Sequence, residues 1–220
     1  MSKEYRYERK YPMDLQGLYE FRFWHRMYGG EFRTAYPKRI VNSIYFDSIE
    51  LDNYNDNLSG NSERFKSRLR WYGDNLKIDK MQFEIKKRKN AVGYKETQII
   101  TDARLMVENI AELYKKIRPK LNNNIRNQVD KMRCPTVLNQ YLREYYVTRD
   151  DIRLTVDTDM KYASLLSRKN LPDKLVPSEV KAVVEIKYSI NKDEKVRNIL
   201  QTVPFSIDKN SKYVNAVEEI

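Results

Sequence analysis

The segment Arg64-Phe65-Lys66-Ser67-Arg68-Leu69-Arg70-Trp71-Tyr72 carries a basic residue at every even position from 64 to 70, with Phe65, Leu69 and Trp71 on the odd ones. Side chains alternate across a strand with period two, so this is a strand with one cationic face and one apolar face. The pattern recurs. Phe83-Glu84-Ile85-Lys86-Lys87-Arg88 places Glu84, Lys86 and Arg88 together, and Val184-Glu185-Ile186-Lys187-Tyr188 does the same for Glu185 and Lys187. Arg153-Leu154-Thr155-Val156-Asp157 and Arg6-Tyr7-Glu8-Arg9-Lys10 repeat it. One such strand is an ordinary half-exposed strand. Five suggest a shared charged surface rather than scattered solvent-facing charge. If the sheet closes, that surface becomes a basic lumen with scattered carboxylates, suited to a polyanion and a divalent metal.

The bulk numbers agree. A hydrophobic share of 40% supports a real core despite 33% charged residues. The 220 residues contain no Gly/Ser-rich or Pro-rich linker, so 1–220 reads as a single domain. A net charge of +11 implies anionic partners. Cys134 is the sole cysteine, which excludes an intrachain disulfide and a thiolate metal cluster. No apolar run approaches a membrane span and no signal peptide is visible. The expected location is the cytoplasm, at the inner face of the membrane if a membrane-protein partner recruits the chain.

Strands are expected at 4–11, 40–46, 64–72, 81–88, 92–100, 139–148, 151–158 and 180–188, with turns at Gly73-Asp74-Asn75, Asn90 and Arg149-Asp150-Asp151. Helices are expected over 13–27, 48–58, 102–117, 192–201 and 209–219, while 120–135 is ambiguous. Strands joined by short polar turns predict an α+β fold built on an antiparallel, closed or nearly closed barrel with flanking helices.

Arg68 and Arg70 project the same way, and a guanidinium fork matches phosphate oxygens. Lys86 and Lys95 extend the pattern on later strands, and Arg143 and Arg153 add guanidiniums from farther along. Glu185, among Val183, Val184 and Ile186, needs a partner. It is either a salt bridge to Lys187 or an arginine, or a ligand for Mg²⁺ or Mn²⁺. Glu8 and Glu84 are second candidates, each equally able to neutralise a lysine. Ser211-Lys212 opens the last helix, where an N-cap serine is the ordinary reading and a phosphate contact the alternative. There is no Walker A loop and no dinucleotide fingerprint. His25 is the lone histidine, which weighs against histidine-based acid–base schemes.

Taken in order, Glu8-Arg9-Lys10-Tyr11, Ser43-Ile44-Tyr45-Phe46-Asp47, Arg68-Leu69-Arg70-Trp71-Tyr72-Gly73, Glu84-Ile85-Lys86-Lys87, Gly93-Tyr94-Lys95, Arg153-Leu154-Thr155-Val156-Asp157-Thr158-Asp159, Glu185-Ile186-Lys187 and Ser211-Lys212-Tyr213 resemble the VTC domain. This is the catalytic domain of the vacuolar transporter chaperone complex and its bacterial relatives, within the triphosphate tunnel metalloenzyme superfamily. The resemblance implies an eight-stranded antiparallel tunnel with a basic interior. It implies polyphosphate synthesis from ATP with Mn²⁺ or Mg²⁺. It assigns phosphate contacts to Lys10, Arg68, Arg70, Lys86, Lys95, Arg143, Arg153, Lys187, Ser211 and Lys212. Glu185 would hold the metal, with Glu8 beside it, and the catalytic group would be Arg68, Arg70, Lys86, Arg153 and Glu185. Many superfamily members carry two alternating glutamates before the first-strand lysine. Here Arg6 takes the first of those positions, which resembles the VTC branch and weakens a two-metal hydrolase. The expected partners are ATP and polyphosphate, with a membrane-protein partner left open. A triphosphatase, or a sensor that binds without turnover, would use the same cations. Nucleic-acid binding is disfavoured because the basic residues alternate with glutamate on apolar-backed strands.

Overall fold

The structure is a computed structural model that describes residues 6–73, 80–89, 92–101, 109–203 and 205–220. Its strands are β1 (Arg6–Met13), β2 (Arg33–Asp47), β3 (Glu63–Tyr72), β4 (Lys80–Lys89), β5 (Val92–Thr101), β6 (Cys134–Val147), β7 (Arg153–Ser164), β8 (Val176–Pro177) and β9 (Ala182–Ser189). Its helices are α1 (Leu15–Tyr28), α2 (Asp52–Leu58), α3 (Leu113–Ile117), α4 (Asn123–Val129), α5 (Asp193–Leu200) and α6 (Lys212–Glu218). The hydrogen-bonded strand order is β1-β9-β7-β6-β2-β3-β4-β5, with β8 attached to β7. The expected antiparallel sheet with flanking helices is therefore present. Among the described residues, no helix is long and apolar enough to cross a membrane.

Contacts divide the chain into two compact units. One comprises Met1–Arg39, Tyr141–Met160 and Ser178–Asn210; the other comprises Ile40–Gln140, Lys161–Pro177 and Ser211–Ile220.

In the first unit, β1 pairs with β9 and β9 with β7, all antiparallel. One face of these strands supplies Tyr11, Met13, Leu154, Val156, Ala182, Val184, Ile186 and Tyr188 to a core closed by Phe21 and Trp24 of α1 and Val196 of α5. The opposite face carries Glu8, Lys10, Arg153, Thr155, Asp157, Glu185 and Lys187, following the period-two alternation of the sequence. Asp14 starts α1, its side chain accepting from the Gly17 amide at 2.8 Å, and Gly29 ends it. Only Phe21 and Trp24 of this helix are buried. Leu15, Tyr19, Phe23 and Met27, spaced four apart, lie on the exposed side. The apolar count predicted the helix without predicting its buried face, because aromatic residues occur on both sides.

In the second unit, β2, β3, β4 and β5 form an antiparallel run. Ile44, Phe46, Leu69, Trp71, Met81, Phe83, Ile85 and Ile100 pack beneath Ile110, Leu113, Ile117, Leu121, Ile125 and Val129 of the helical connection. Each such fully buried side chain contributes roughly 1.5–3 kcal/mol of transfer free energy. A bidentate Arg118–Asp130 pair, with the Tyr114 hydroxyl also donating to Asp130, ties α3 to α4.

Several boundaries differ from expectation. β2 begins at Arg33 rather than near 40, because its first half is exposed and lacks the apolar signal of a half-buried strand. Asp52, not Ser48, starts α2, since Ser48 is held at the Asp47 carboxylate. The ambiguous 120–135 stretch contains α4 and the start of β6. Of the helix expected over 102–117, residues 102–108 lie outside the described residues. The remainder is a 3₁₀ turn at Ile110–Glu112 followed by α3. Asp74, Asn75 and Asn90 also lie outside the described residues.

Candidate functional site

Antiparallel register places the second unit's charged residues side by side. Lys66 of β3 lies opposite Lys86 of β4, and Lys86 opposite Lys95 of β5, so three lysines form a row across three strands. One pair of residues along, Arg68 lies opposite Tyr45 on one side and Glu84 on the other. Next come Ser43, Arg70 and Gln82. Directly opposed residues on one face sit about 5 Å apart.

Glu84 is the hub. It is 2% exposed. Its Oε2 accepts from Arg68 and lies 3.7 Å from an Arg70 nitrogen, while its Oε1 accepts from Lys95 Nζ at 2.6 Å. Burial alone would raise this carboxyl, but Arg68, Arg70 and Lys95 outweigh it and hold the group well below the usual carboxylate range. This one carboxylate thus ties cations of β3 and β5 together on a single face. Arg68 Nη1 also donates to the Tyr45 hydroxyl at 3.3 Å, and Arg70 Nε to Ser43 Oγ at 3.4 Å. Burial would likewise raise the Tyr45 hydroxyl, yet Arg68, Arg70 and Lys212 lower it on balance. Ser211 caps α6, accepting from the Val214 amide at 3.3 Å, and accepts from Lys66 Nζ at 2.7 Å.

The first unit holds its own cluster. Lys10 lies opposite Glu185 and Glu8 opposite Lys187, with Thr155 and Arg153 completing the two rows on β7. Glu185 is 6% exposed and ion-paired to Lys187. Lys187 Nζ also lies 3.6 Å from Glu8, whose other oxygen is 3.0 Å from Lys10 Nζ. Two carboxylates thus share one ammonium. Burial pushes Glu185 up, but Lys187, Lys10 and Arg143 pull it well below its ordinary value. Lys10 Nζ further donates to the Asn210 carbonyl at 3.0 Å.

Arg143 donates Nε and Nη2 to the two oxygens of the fully buried Asp157 at 2.5 and 2.7 Å, so its fork is directed at a carboxylate of the chain. Arg153 is exposed and pairs with Asp151 at 2.9 Å, in register with Lys187.

The structure therefore gathers Arg68, Arg70, Lys86 and Lys95 on one strand face, with Ser211 of the α6 cap bonded to Lys66 there and Lys212 close enough to act on Tyr45. It gathers Lys10, Glu8, Glu185, Lys187, Arg143 and Arg153 on another. Glu84, weighed both as a metal ligand and as a neutraliser of a lysine, is bonded to Arg68 and Lys95 and lies 3.7 Å from Arg70. Sequence reasoning left Tyr45, Lys66 and Asp157 without roles. Period two puts Tyr45 on the face of Ser43, and Lys66 on that of Arg68, so both were within reach of the pattern.

A family model described as the VTC domain matches residues 5–220. No curated protein matches the chain. Among solved structures, a protein of Bacillus halodurans with an adenylate cyclase description aligns at 13% identity over 96% of both chains, with a TM-score of 0.56. A Hippeastrum protein, described as an adenylyl cyclase with a dominant triphosphatase activity, aligns at 12% identity over 96% of this chain and 95% of its own, with a TM-score of 0.58. A protein of Pyrococcus horikoshii aligns at 13% identity over 98% of this chain and 100% of its own, with a TM-score of 0.54. At these identities the likeness establishes a common fold.

Proposed function

Since this chain belongs to the VTC domain family, we propose that it is a polyphosphate polymerase that transfers the γ-phosphoryl group of ATP to the end of a polyphosphate chain. The observation that carries this reading is the face around Glu84, where arginine and lysine from three adjacent strands stand side by side in register and Glu84 holds Arg68 and Lys95 in place. A phosphoryl-transfer transition state spreads charge over non-bridging oxygens, so positioned cations supply most of the catalysis. Arg68, Arg70, Lys86 and Lys95 bind and orient phosphate groups. A terminal oxygen of the polyphosphate chain attacks the γ-phosphorus, the bond to the ADP oxygen breaks, and ADP leaves with that electron pair. No protein nucleophile is needed.

A divalent cation, Mn²⁺ or Mg²⁺, would take its protein oxygens from Glu185 and Glu8, which converge on Lys187, with Lys10 also 3.0 Å from Glu8. Among the described residues no group of three or more His, Cys, Asp or Glu side chains gathers. Two carboxylates would leave most of such an ion's coordination positions to other oxygen ligands, as is common for these metals. Bound there, it would add Lewis-acid neutralisation of phosphate charge. Lys10, Lys187 and Arg143 keep Glu185 ionised for that role.

Product analysis tests the reading. Incubation with ATP and Mn²⁺, followed by phosphorus NMR and a gel, is expected to show ADP and a polyphosphate ladder. ADP with orthophosphate alone would replace the polymerase with a hydrolase, and unchanged ATP would replace it with a sensor. A second expectation concerns Arg70. A hydrogen bond to a charged group contributes about 1.5–3 kcal/mol, so Arg70→Ala should weaken tripolyphosphate binding by roughly tenfold or more in calorimetry. Unchanged affinity would place Arg70 outside the site.

A further inference from the structure

Asp47, Tyr213 and Tyr45 bear no positive charge, yet they form a connected path to the cations of the second unit. Asp47 ends β2 and is fully buried. Its Oδ1 accepts from the Ser48 amide at 2.7 Å and the Asn53 amide at 2.9 Å. Its Oδ2 accepts from the Tyr54 amide at 3.1 Å and from the Tyr213 hydroxyl. An ionised carboxylate has about four acceptor positions, so this one is filled, by three amides around the start of α2 and one hydroxyl from α6. Burial, then the bond to Asp47, raises the Tyr213 hydroxyl far above its ordinary value, which keeps it a donor.

Two links run from this anchor to β3. The Tyr213 ring stacks on Tyr45 with centroids 5.3 Å apart, and the Tyr45 hydroxyl accepts from Arg68. Two residues before Tyr213, Ser211 Oγ accepts from Lys66 Nζ at 2.7 Å. A single docked turn of α6 therefore steadies two neighbouring cations on the same face of β3.

We propose that Asp47 and Tyr213 are positioning residues that hold Lys66 and Arg68 in their phosphate-gripping arrangement by docking α6 onto the end of β2. The proposal rests on the phosphate-binding reading of that face. The physical gain is preorganisation. Each long cationic side chain carries about 2 kcal/mol of rotamer entropy. Ordering it before the ligand arrives removes that cost from binding.

The test uses the whole chain and inorganic tripolyphosphate in calorimetry, so it needs no turnover. Tyr213→Phe keeps the stacked ring and removes one hydroxyl. It is expected to raise the dissociation constant about fivefold to tenfold, a part of the rotamer entropy of the two cations that docking of α6 had already removed, while the protein still melts cooperatively. In a background already carrying Tyr45→Phe and Ser211→Ala, both links are cut, and Tyr213→Phe should then change affinity less than twofold. A full penalty in that background, or none in the wild-type background, overturns the proposal. Asp47→Asn should reproduce the Tyr213→Phe effect if it folds, and the conclusion stands on Tyr213→Phe if it does not.

A ligand-free readout separates this proposal from the functional reading. In ¹³C-tyrosine NMR, the Tyr45 ring should titrate at higher pH in Tyr213→Phe than in wild type, because Arg68 and Lys212 lose their fixed places beside it. An unshifted Tyr45 overturns the positioning role even in a protein that makes polyphosphate. A shifted Tyr45 in a protein that binds no tripolyphosphate upholds the positioning of the cations and removes only the phosphate reading.

Discussion

Glu185→Gln is expected to abolish metal-dependent turnover while leaving a folded protein. The substitution is isosteric and preserves the side chain's place between Val184 and Ile186 on β9. What it removes is the negative charge that faces Lys187, Lys10 and Arg143. If Glu185 holds the divalent ion, the loss of several kcal/mol of charge stabilisation corresponds to a rate at least roughly a hundredfold lower. Metal-free tripolyphosphate affinity should not fall, because the variant leaves the surrounding cations less neutralised. These two readouts separate a metal ligand from a purely structural ion pair, which would leave the Mn²⁺-dependent rate near wild type once the protein is folded. Because Glu185 is depressed below its ordinary value, it stays ionised throughout the neutral range. Acidification to about pH 5 should therefore not mimic the variant, since the unfolded reference for a glutamate is only about 4.3.

The sequence exposed one level of this molecule and concealed the next. The two faces of β3, β4 and β9 were legible because each alternates charge with large apolar groups, and burial enforces that alternation. The first half of β2 was hidden because Arg33 to Arg39 is exposed and no core imposes a pattern there. The cations of the site were likewise legible one strand at a time. Their partners were not, since pairing depends on register between strands. Glu84 reads as a metal candidate equally able to neutralise a lysine, and only register shows that Arg68 and Lys95, on the neighbouring strands, bond it. Arg143 and Asp157 meet because β6 and β7 are adjacent. Asp47 and Tyr213 stand 166 residues apart, joined by a helix docking that no local pattern announces. Each missed contact is a tertiary one between residues whose types were already suggestive.

Glu84→Gln carries the largest expected effect on stability. The carboxylate is buried and bonded to Arg68 and Lys95, with Arg70 at 3.7 Å, so removing its charge leaves cations facing a neutral amide in a poorly solvated place. Breaking one partner out of a buried ionic group costs about 3–5 kcal/mol. For a chain of this size that lowers the melting temperature by roughly 6–20 °C, at about 2–4 °C per kcal/mol. The same change makes the face more cationic, so tripolyphosphate should restore more of the melting temperature in the variant than in wild type. The pH dependence gives a sharper check. A carboxyl whose folded value is depressed contributes stability that is fully present above its unfolded value, about 4.3, and is lost as pH falls toward the folded value. Wild type should therefore lose this contribution on acidification below about pH 4, whereas Glu84→Gln has none to lose. The gap between their melting temperatures should narrow between pH 7 and pH 3. A gap that stays constant over that range would mean that the three cations are stabilised by something other than the charge on Glu84.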